Sequence, residues 1–257
     1  MLLKNRTALI VGGGAGLGRA IAIAFAREGA RLAVADLNKV SAAETLAQAG
    51  QNADGLALAM NVAHPEEIRV GVGEVVSRFG RLEIMVNCAA ICLVDPLFEV
   101  TPDRWDQVFD INARGAFYCM TIAAEAMLPL KFGRIITIST PASRLATPNF
   151  ATYAASKAAV DSFTRSCAVA WATEGITVNC IAPGRMTGGM IEGLDRDLAR
   201  ITGEDPATIV AKRTQSLPMQ RRVDPSEVAN AAVWLASDAA GYVTAERFNF
   251  TGGMELS

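Results

Sequence analysis

Short runs of apolar and β-branched residues recur along the chain and alternate with longer segments whose apolar positions have helical spacing. The short runs predict strands at 7–11, 31–36, 55–60, 82–87, 134–139 and 177–182, with a closing strand at 248–250. The segments between them predict helices near 16–28, after Val40, and near 65–79, 103–130, 153–173 and 225–237. Repeated β–α units with short connections predict a parallel sheet covered by helices on both faces.

One segment, 185–216, interrupts this alternation. It is polar, contains several glycines and is longer than a connection between two elements requires. We expect it to form a lid over a substrate, and a surface insertion without function is the alternative. The rest of the chain contains no internal repeat, low-complexity segment or linker, so we expect residues 1–257 to form a single domain.

Composition narrows the class of protein. Hydrophobic residues make up 51% of the chain and aromatic residues only 6%, so Ala, Val, Ile and Leu dominate, as is typical of a buried parallel sheet. The 24 basic and 26 acidic residues give a net charge of −2 without long runs of one sign. We therefore expect neither a nucleic-acid partner nor a membrane partner.

The five cysteines bear on the compartment. They are odd in number, lack C-x-x-C spacing and lie in apolar surroundings, so we expect buried free thiols rather than disulfides. The apolar part of the start MLLKNRTALIV is too short for a signal peptide, and no run of about 18 apolar residues is present. These observations favour a cytoplasmic protein.

A glycine-rich turn separates the first predicted strand from the first helix. Such a turn lets backbone N–H groups approach a pyrophosphate at the positive end of the helix. The spacing is Gly12-x-x-x-Gly16-x-Gly18 rather than G-x-G-x-x-G, and glycines placed for packing alone are the alternative. The predicted coenzyme contacts on this turn are Gly12, Gly14, Gly16, Leu17 and Gly18.

Asp36 ends the second predicted strand, 18 residues after Gly18. A carboxylate at this place accepts hydrogen bonds from the ribose hydroxyls of NAD and repels the 2′-phosphate of NADP. Leu37 follows, so no arginine is present there to bind that phosphate, and we expect Arg19 on the solvent side of its helix. The prediction is a site for NAD, with NADP less favoured. A simple turn-forming role for Asp36 is the alternative.

Tyr153 and Lys157 lie one turn apart on a predicted helix. A ketone–alcohol interconversion needs a group that exchanges a proton with the oxygen while hydride moves at carbon. A tyrosine can do so if its pKa falls from about 10 towards neutrality, and a neighbouring ammonium favours the phenolate. A structural Tyr–Lys pair is the alternative. The sequence offers no His-based triad and no His/Cys metal cluster.

Several motifs together resemble one family. The glycine turn, Asn87-Cys88-Ala89-Ala90, Asn112, Tyr153-x-x-x-Lys157 and Pro183-Gly184 have the order and spacing of the short-chain dehydrogenase/reductase family, over nearly the whole chain. The chain resembles the single-domain branch. The resemblance implies a doubly wound Rossmann-type domain with a seven-stranded parallel sheet. It also implies hydride transfer between a nicotinamide and an alcohol or carbonyl, and a homotetramer or homodimer.

The resemblance also assigns individual coenzyme contacts. These are Asn61 and Val62 at the adenine, Asn87 and Ala89 on the adenosine side, Tyr153 and Lys157 at the nicotinamide ribose, and Pro183 and Gly184 under the nicotinamide. The threonine that the family places against the carboxamide corresponds to Gly188, so Thr187 is expected to replace it. The family has threonine, glycine and aspartate where this chain has Val11, Ala90 and Thr251.

The resemblance implies a catalytic hydroxyl 13 residues before the tyrosine, where the family has serine and this chain has Thr140. Alternation along the strand sends the Ser139 side chain to the other face of the sheet, and Ser143 lies beyond Pro141. We therefore predict Thr140 as the hydroxyl, because threonine offers the same donor and acceptor. Asn112 corresponds to the residue that holds a water of the proton relay.

The substrate is the least determined part. Arg144, Asn149 and Phe150 precede Tyr153, and Arg185 begins the lid, so these four are the candidate substrate contacts. The two arginines allow a carboxylate, phosphate or sulfonate on the substrate. A polyol or sugar, a hydroxy acid and a small cyclic alcohol remain open. The alternatives to such a dehydrogenase are a 3-oxoacyl-carrier-protein reductase-like enzyme and a non-catalytic NAD-binding regulator.

Overall fold

The computed structural model describes residues 1–51 and 53–254. The strands are Thr7–Val11 (β1), Arg31–Asp36 (β2), Leu56–Ala59 (β3), Ile84–Asn87 (β4), Gly133–Ile138 (β5), Ile176–Pro183 (β6) and Arg247–Phe250 (β7). The α-helices are Gly16–Arg27 (α1), Lys39–Gln48 (α2), Pro65–Phe79 (α3), Pro102–Phe109 (α4), Ala116–Met127 (α5), Ala151–Trp171 (α6), Met190–Thr202 (α7), Pro206–Gln215 (α8) and Pro225–Ala236 (α9).

The strands form one seven-stranded sheet in the order β3-β2-β1-β4-β5-β6-β7, and every pairing is parallel. This confirms the predicted doubly wound fold. The chain builds outward from β1 to β3 and then returns to place β4 against the other side of β1. Because the connections diverge there, a crevice opens at the carboxyl ends of β1 and β4, beside Val11 and its register partner Asn87.

Two apolar layers cover the sheet, one on each face. Ile10 in β1 packs with Phe25 and Val228 in one layer, whereas its neighbour Leu9 packs with Ile68 and Met120 in the other. Since successive side chains of a strand point to opposite faces, a strand buried on both faces is expected to be mostly apolar. Strand β1 accordingly has the apolar run ALIV after Thr7.

The stretch predicted near 103–130 is helical throughout, but it is not one regular α-helix. The structure has α4, a π-helical turn at Asp110–Gly115, and then α5. Asn112 in this turn is fully buried and both accepts from and donates to the backbone of Ile91. A Cβ on Gly115 would lie 2.8 Å from the Val62 carbonyl oxygen. These contacts with distant segments impose the turn, so local helical spacing does not reveal it.

The segment 185–216 is largely helical, because it contains α7 and α8. Asp205 caps α8 by accepting from the N–H groups of Ala207 and Thr208. Just before α7, the Thr187 N–H donates to the Val223 carbonyl at 3.0 Å, which ties the start of the segment to the body. Its role as a lid stays a prediction. In the described part of the chain no helix is both long and apolar enough to cross a membrane.

Candidate active site

Two adjoining cavities lie at the carboxyl edge of the sheet. The first, the cleft, has a volume of about 400 Å³ and extends from the glycine turn after β1 to the end of β6. The second, the side cavity, has a volume of about 310 Å³ and lies between the segment before α6 and helices α7 and α8. Thr140 and Tyr153 line both cavities. A molecule in the cleft and a molecule in the side cavity would therefore meet at these two side chains.

The glycine turn brings bare backbone to the floor of the cleft. Gly12 has φ +71°, and a Cβ there would lie 2.5 Å from the Ala89 nitrogen, so this position requires glycine. Helix α1 begins at Gly16 without a capping side chain and without an acidic residue in its first turn. Its first N–H groups therefore lack side-chain partners and face the cleft, where they suit a phosphate.

Gly14 does not line the cleft, contrary to the predicted contact. Its N–H donates to Asp36 Oδ2 at 2.9 Å, and a Cβ would lie 2.7 Å from Asp36 Cγ. The Asn38 N–H donates to the other oxygen of Asp36 at 3.0 Å. Gly14 thus positions the carboxylate, while Asp36 and the exposed Leu37 line the cleft beside it.

Arg19 is not on the solvent side of its helix, as the sequence suggested. It donates to the Gly14 carbonyl and, at 3.0 Å, to Thr45 Oγ1, and it pairs with Glu44 at 3.5 Å. These partners belong to the glycine turn and to α2, so tertiary packing draws the guanidinium back over the turn. Asp36 in β2 and Arg19 in α1 therefore place opposite charges beside the same glycine turn.

Most of the other predicted coenzyme contacts line the cleft. The structure places there Leu17, Gly18, Asn61, Val62, Ala89, Lys157, Pro183, Gly184 and Thr187. Asn87 is the exception, because it is buried and its Oδ1 accepts from the Ala89 N–H at 3.1 Å. It shapes the loop instead of lining the cleft. Cys88 and Met186 line the cleft without having been predicted, although Cys88 lies inside the Asn87–Ala90 motif.

The predicted catalytic groups converge where the cavities meet. Thr140, which follows β5, lines both cavities beside Tyr153, and its hydroxyl acts to lower the pKa of the phenol. Lys157 is buried one turn further along α6, and its Nζ donates to the Ile138 carbonyl at 2.7 Å. Asn112 reaches the same helix, because its Nδ2 lies 3.1 Å from Ser156 Oγ. These residues are up to 45 positions apart in the sequence, and the fold brings them together at one site.

The pKa of Tyr153 is not lowered, as the sequence argument required, but raised. Burial raises the pKa of the Tyr153 phenol, charge on Cys92 adds to that effect, and the hydrogen bond with Thr140 opposes it. Burial also lowers the pKa of Lys157 to about 8. The protein's own groups therefore do not bring the phenol towards neutrality, because removal from water disfavours the phenolate more than the hydrogen bond favours it.

The two other hydroxyls of this stretch are engaged elsewhere. Ser139 Oγ donates to Asp161, and Ser143 Oγ donates to the other oxygen of Asp161 at 2.6 Å. Arg247 Nη2 donates to the Thr140 carbonyl at 2.8 Å. The hydroxyls on either side thus hold the segment, and the Thr140 hydroxyl is the one beside the phenol. No motif in the sequence pointed to Asp161 or Arg247.

The predicted substrate contacts divide into two groups. Asn149, Phe150 and Arg185 line the side cavity, whereas Arg144 is exposed and lies outside it. Its place in a turn after β5 directs it away from the cavity. Arg213, from helix α8, lines the cavity and was not predicted, since nothing local in the sequence links it to Tyr153. In residues 1–51 and 53–254, no group of acidic, histidine or cysteine side chains is suited to a metal.

Comparison with known proteins identifies the family. Residues 12–255 match a family profile described as enoyl-(acyl carrier protein) reductase. The chain belongs to the short-chain dehydrogenase/reductase family. It is 34% identical to the 3-oxoacyl-[acyl-carrier-protein] reductase FabG of Staphylococcus aureus, over 98% of this chain and 99% of that protein. It is 35% identical to the sorbitol dehydrogenase of Cereibacter sphaeroides, with both chains fully covered.

Solved structures of the family agree with the fold. An NAD⁺-bound xylitol dehydrogenase superposes with a TM-score of 0.94 at 26% identity, covering 98% of this chain and all of the other. An actinorhodin polyketide ketoreductase with NADPH superposes with a TM-score of 0.92 at 30% identity, covering 97% of each chain. These family members act as oxidoreductases and include both an NAD⁺-bound and an NADPH-bound structure.

The cleft fits the nicotinamide dinucleotide that the family binds. The uncapped start of α1 meets the requirement for a pyrophosphate, and Asp36 meets that for ribose hydroxyls. At the other end, Pro183 and Gly184 lie near Tyr153 and Lys157. A dinucleotide bound in this way would have its nicotinamide end at the mouth of the side cavity.

Proposed function

We propose that the protein is an NAD-dependent dehydrogenase or ketoreductase that interconverts a secondary alcohol and a ketone, with Tyr153 as the general acid and base. The observation that carries this proposal is that Thr140 and Tyr153 lie together at the junction of the two cavities and line both of them. A non-catalytic NAD-binding regulator would have no use for a phenol and a hydroxyl converging there.

Binding of the coenzyme would rest on the backbone of Gly12, Gly16 and Leu17 at the pyrophosphate and on Asp36 at the adenosine ribose. When bound, the nicotinamide would supply the hydride donor or acceptor, and its oxidised form would add a positive charge that favours the phenolate. Lys157 and Tyr153 would hold the neighbouring ribose. Burial excludes water from this end of the cleft, since Lys157 is only 4% exposed.

Proton transfer would take place at the Tyr153 oxygen. In reduction the phenol donates its proton to the carbonyl oxygen, and in oxidation the phenolate takes the proton from the alcohol. The Thr140 hydroxyl donates a hydrogen bond to the same substrate oxygen and steadies it as charge develops. We assign to Asn112 the water that links this site to Lys157 and solvent.

NAD is the proposed coenzyme because Asp36 would repel a 2′-phosphate at the ribose. Arg19, on the same turn, acts in the opposite direction. Its guanidinium already has three partners in Gly14, Thr45 and Glu44, so it is less available to a phosphate than Asp36 is to a ribose.

A reductase of carrier-linked 3-oxoacyl groups is the second candidate, and the identity to FabG favours it. Docking of an acidic carrier protein requires a basic face, whereas this chain has a net charge of −2. The similarity to sorbitol dehydrogenase favours a small free alcohol. We therefore prefer a free small-molecule substrate to a carrier-linked one.

We further propose that the protein acts as a homotetramer or homodimer in the cytoplasm, without a nucleic-acid or membrane partner. Among the described residues, Phe117 and Tyr118 on α5 and Val169 on α6 are large apolar side chains with substantial exposure. Burial of such side chains against another copy would contribute to association. Light scattering of the purified protein measures the state directly.

The proposed function is tested by absorbance of reduced nicotinamide with a panel of secondary alcohols and ketones and both coenzymes. We expect turnover with NAD or NADH on at least one small substrate and none by Tyr153→Phe. Turnover confined to substrates linked to a carrier protein would support the second candidate. Binding of NAD without turnover of any panel member would contradict the enzymatic proposal.

A further inference from the structure

The side cavity combines an apolar wall with basic side chains. Among the described residues, its charged members are Arg185 and Arg213, and no aspartate or glutamate lines it. The rest of the wall is mostly apolar, including Leu145, Phe150 and Met190. Two guanidiniums in an otherwise apolar pocket beside a catalytic phenol indicate specificity for a charged group on the substrate.

The arginines at this wall outnumber the acidic groups that face them. Arg213 lies 2.8 Å and Arg222 2.6 Å from the two oxygens of Asp195, and all three side chains are at most 15% exposed. Arg185 donates to the Arg213 carbonyl and, at 2.6 Å, to Ser216 Oγ. Three guanidiniums therefore surround one carboxylate, which leaves an excess of positive charge at the cavity wall.

Two further observations indicate that this charge is directed at a ligand. Burial lowers the pKa of Arg185 to about 10, and the positive charges of Arg213 and Arg222 lower it further than Asp195 raises it. Arg213 Nη1 pairs with Asp195 Oδ1 at 2.8 Å, but neither this nitrogen nor the two Asp195 oxygens have an aligned hydrogen bond among the described residues. Thr147 Oγ1, also in the cavity wall, is buried without a described partner. An anion in the cavity would accept from Arg213 Nη1 and from Thr147 Oγ1.

A comparison of Arg222 with Arg213 distinguishes a structural role from a binding role. It pairs with Asp195 as closely as Arg213 does, but it does not line the side cavity. One arginine suffices to neutralise a buried aspartate, so Asp195 alone does not explain why Arg213 is present at the wall. Asp195 instead holds Arg213 in place for something in the cavity.

We propose that the side cavity binds a secondary alcohol or ketone that carries one anionic oxygen group, which Arg213 contacts directly with support from Arg185. Carboxylate, phosphate and sulfonate share the required chemistry, and the apolar wall accepts a hydrocarbon or ring between that group and the reacting carbon. The inference rests on the proposed dehydrogenase function and names its substrate class.

The experiment compares acids with their neutral counterparts. Wild-type enzyme is assayed with hydroxy or oxo acids of several lengths, each paired with its carboxamide, and with phosphate and sulfonate analogues. We expect kcat/KM for the best anion to exceed that of its neutral counterpart at least tenfold. Among the three anions, the ranking identifies the group itself. Equal values for the members of each pair would overturn the inference and leave the proposed function intact.

Variants then locate the contact. Arg213→Gln should raise KM for the anion about thirtyfold, as expected for loss of one partner of a buried charge pair, while the values for the carboxamide hardly change. Arg213→Lys should recover part of the loss. Arg222→Gln, the matched control, removes the same kind of charge from Asp195 without touching the cavity, so it should keep the acid-to-amide ratio of the wild type.

Two outcomes overturn the assignment of Arg213. One is an equal acid-to-amide ratio in wild type and Arg213→Gln, and the other is the same loss of discrimination in Arg222→Gln, which would indicate a structural effect. Thermal unfolding of each variant shows whether it is folded, and Arg185→Gln provides a second variant if Arg213→Gln is not. If wild type turns over no alcohol or ketone with either coenzyme, the proposed function fails and this inference fails with it.

Discussion

Arg247 in β7 pairs with Asp161 in α6, with Nε 3.2 Å from Oδ2, directly behind the segment that carries Thr140. The two side chains are only 5% and 7% exposed. Asp161 also accepts from the hydroxyls of Ser139 and Ser143, and Arg247 also donates to the Thr140 carbonyl. One buried ion pair therefore joins the last strand, the catalytic helix and the catalytic segment.

Removing one member of this pair should destabilise the protein strongly. Arg247→Met leaves Asp161 as a buried charge without its cation, so we expect the free energy of unfolding in urea to fall by about 3–5 kcal/mol. The control is Arg69→Met, whose pair with Glu125 is exposed and should contribute less than about 1 kcal/mol. Recovery of stability by a double Arg247→Met, Asp161→Leu variant would support the mechanism. Equal losses in the two single variants would contradict it.

Substitutions at neighbouring positions distinguish the hydroxyls. Thr140→Val keeps the shape and removes the hydrogen-bond donor, so turnover should fall by about 10²–10³ as for other donors to a developing oxyanion. Thr140→Ser should stay within about tenfold of wild type. Ser139→Ala should retain turnover but lose about 1–3 kcal/mol of stability, because Asp161 loses one donor. Steady-state rates and urea unfolding give both readouts. An inactive Ser139→Ala with an active Thr140→Val would place the catalytic role on Ser139.

The phenol oxygen of Tyr153 is expected to be necessary for the chemical step and dispensable for coenzyme binding. Tyr153→Phe should abolish turnover and leave the dissociation constant for NADH, measured by fluorescence, nearly unchanged. Tyr242→Phe makes the same chemical change on a fully exposed side chain and serves as the control. Turnover of Tyr153→Phe at the wild-type rate would end the proposed mechanism.

Coenzyme preference should follow Asp36. NAD(H) is expected to bind at least tenfold better than NADP(H), since a factor of ten corresponds to only about 1.4 kcal/mol and a like-charge contact exceeds that. Asp36→Ala combined with Leu37→Arg should move the preference towards NADP. Fluorescence titration with both coenzymes measures the ratio. Similar affinities in the wild type would indicate that Arg19 offsets the aspartate, which Arg19→Gln would then reveal.

Buried Lys157 should make stability depend on alkaline pH. Its pKa is about 8 in the folded protein, against an ordinary value of 10.5. Between these values the unfolded chain binds more protons, so the free energy of unfolding rises with pH in this window and is unaffected by this group below it. Relative to Lys157→Met, wild type should gain roughly 3 kcal/mol between pH 8 and 10.5. Urea unfolding at several pH values measures the difference, and a constant difference would contradict the assignment.

The central strands were predictable because they are buried on both faces and are mostly apolar, as ALIV is in β1. The capped start of α9 was predictable for a local reason, since Asp224 and Glu227 exchange hydrogen bonds within one turn. The π-helical turn between α4 and α5 was not, because it contacts Ile91 and Val62, which are remote in sequence. The helical character of 185–216 was also missed, since its polar surface obscured the short apolar faces of α7 and α8.

The sequence by itself determined the fold class and the main groups of the candidate site. The apolar pattern of the strands and the spacing from the glycine turn to Tyr153 and Lys157 are local or periodic properties, so they are visible in the sequence alone. Only the tertiary structure decided that Gly14 and Asn87 shape the cleft without lining it, that Arg144 lies outside the side cavity, and that Arg213 lies within it. It also decided the direction of the Tyr153 pKa. Side-chain direction, burial and charge balance depend on what distant segments bring to a position, and sequence spacing carries no record of those neighbours.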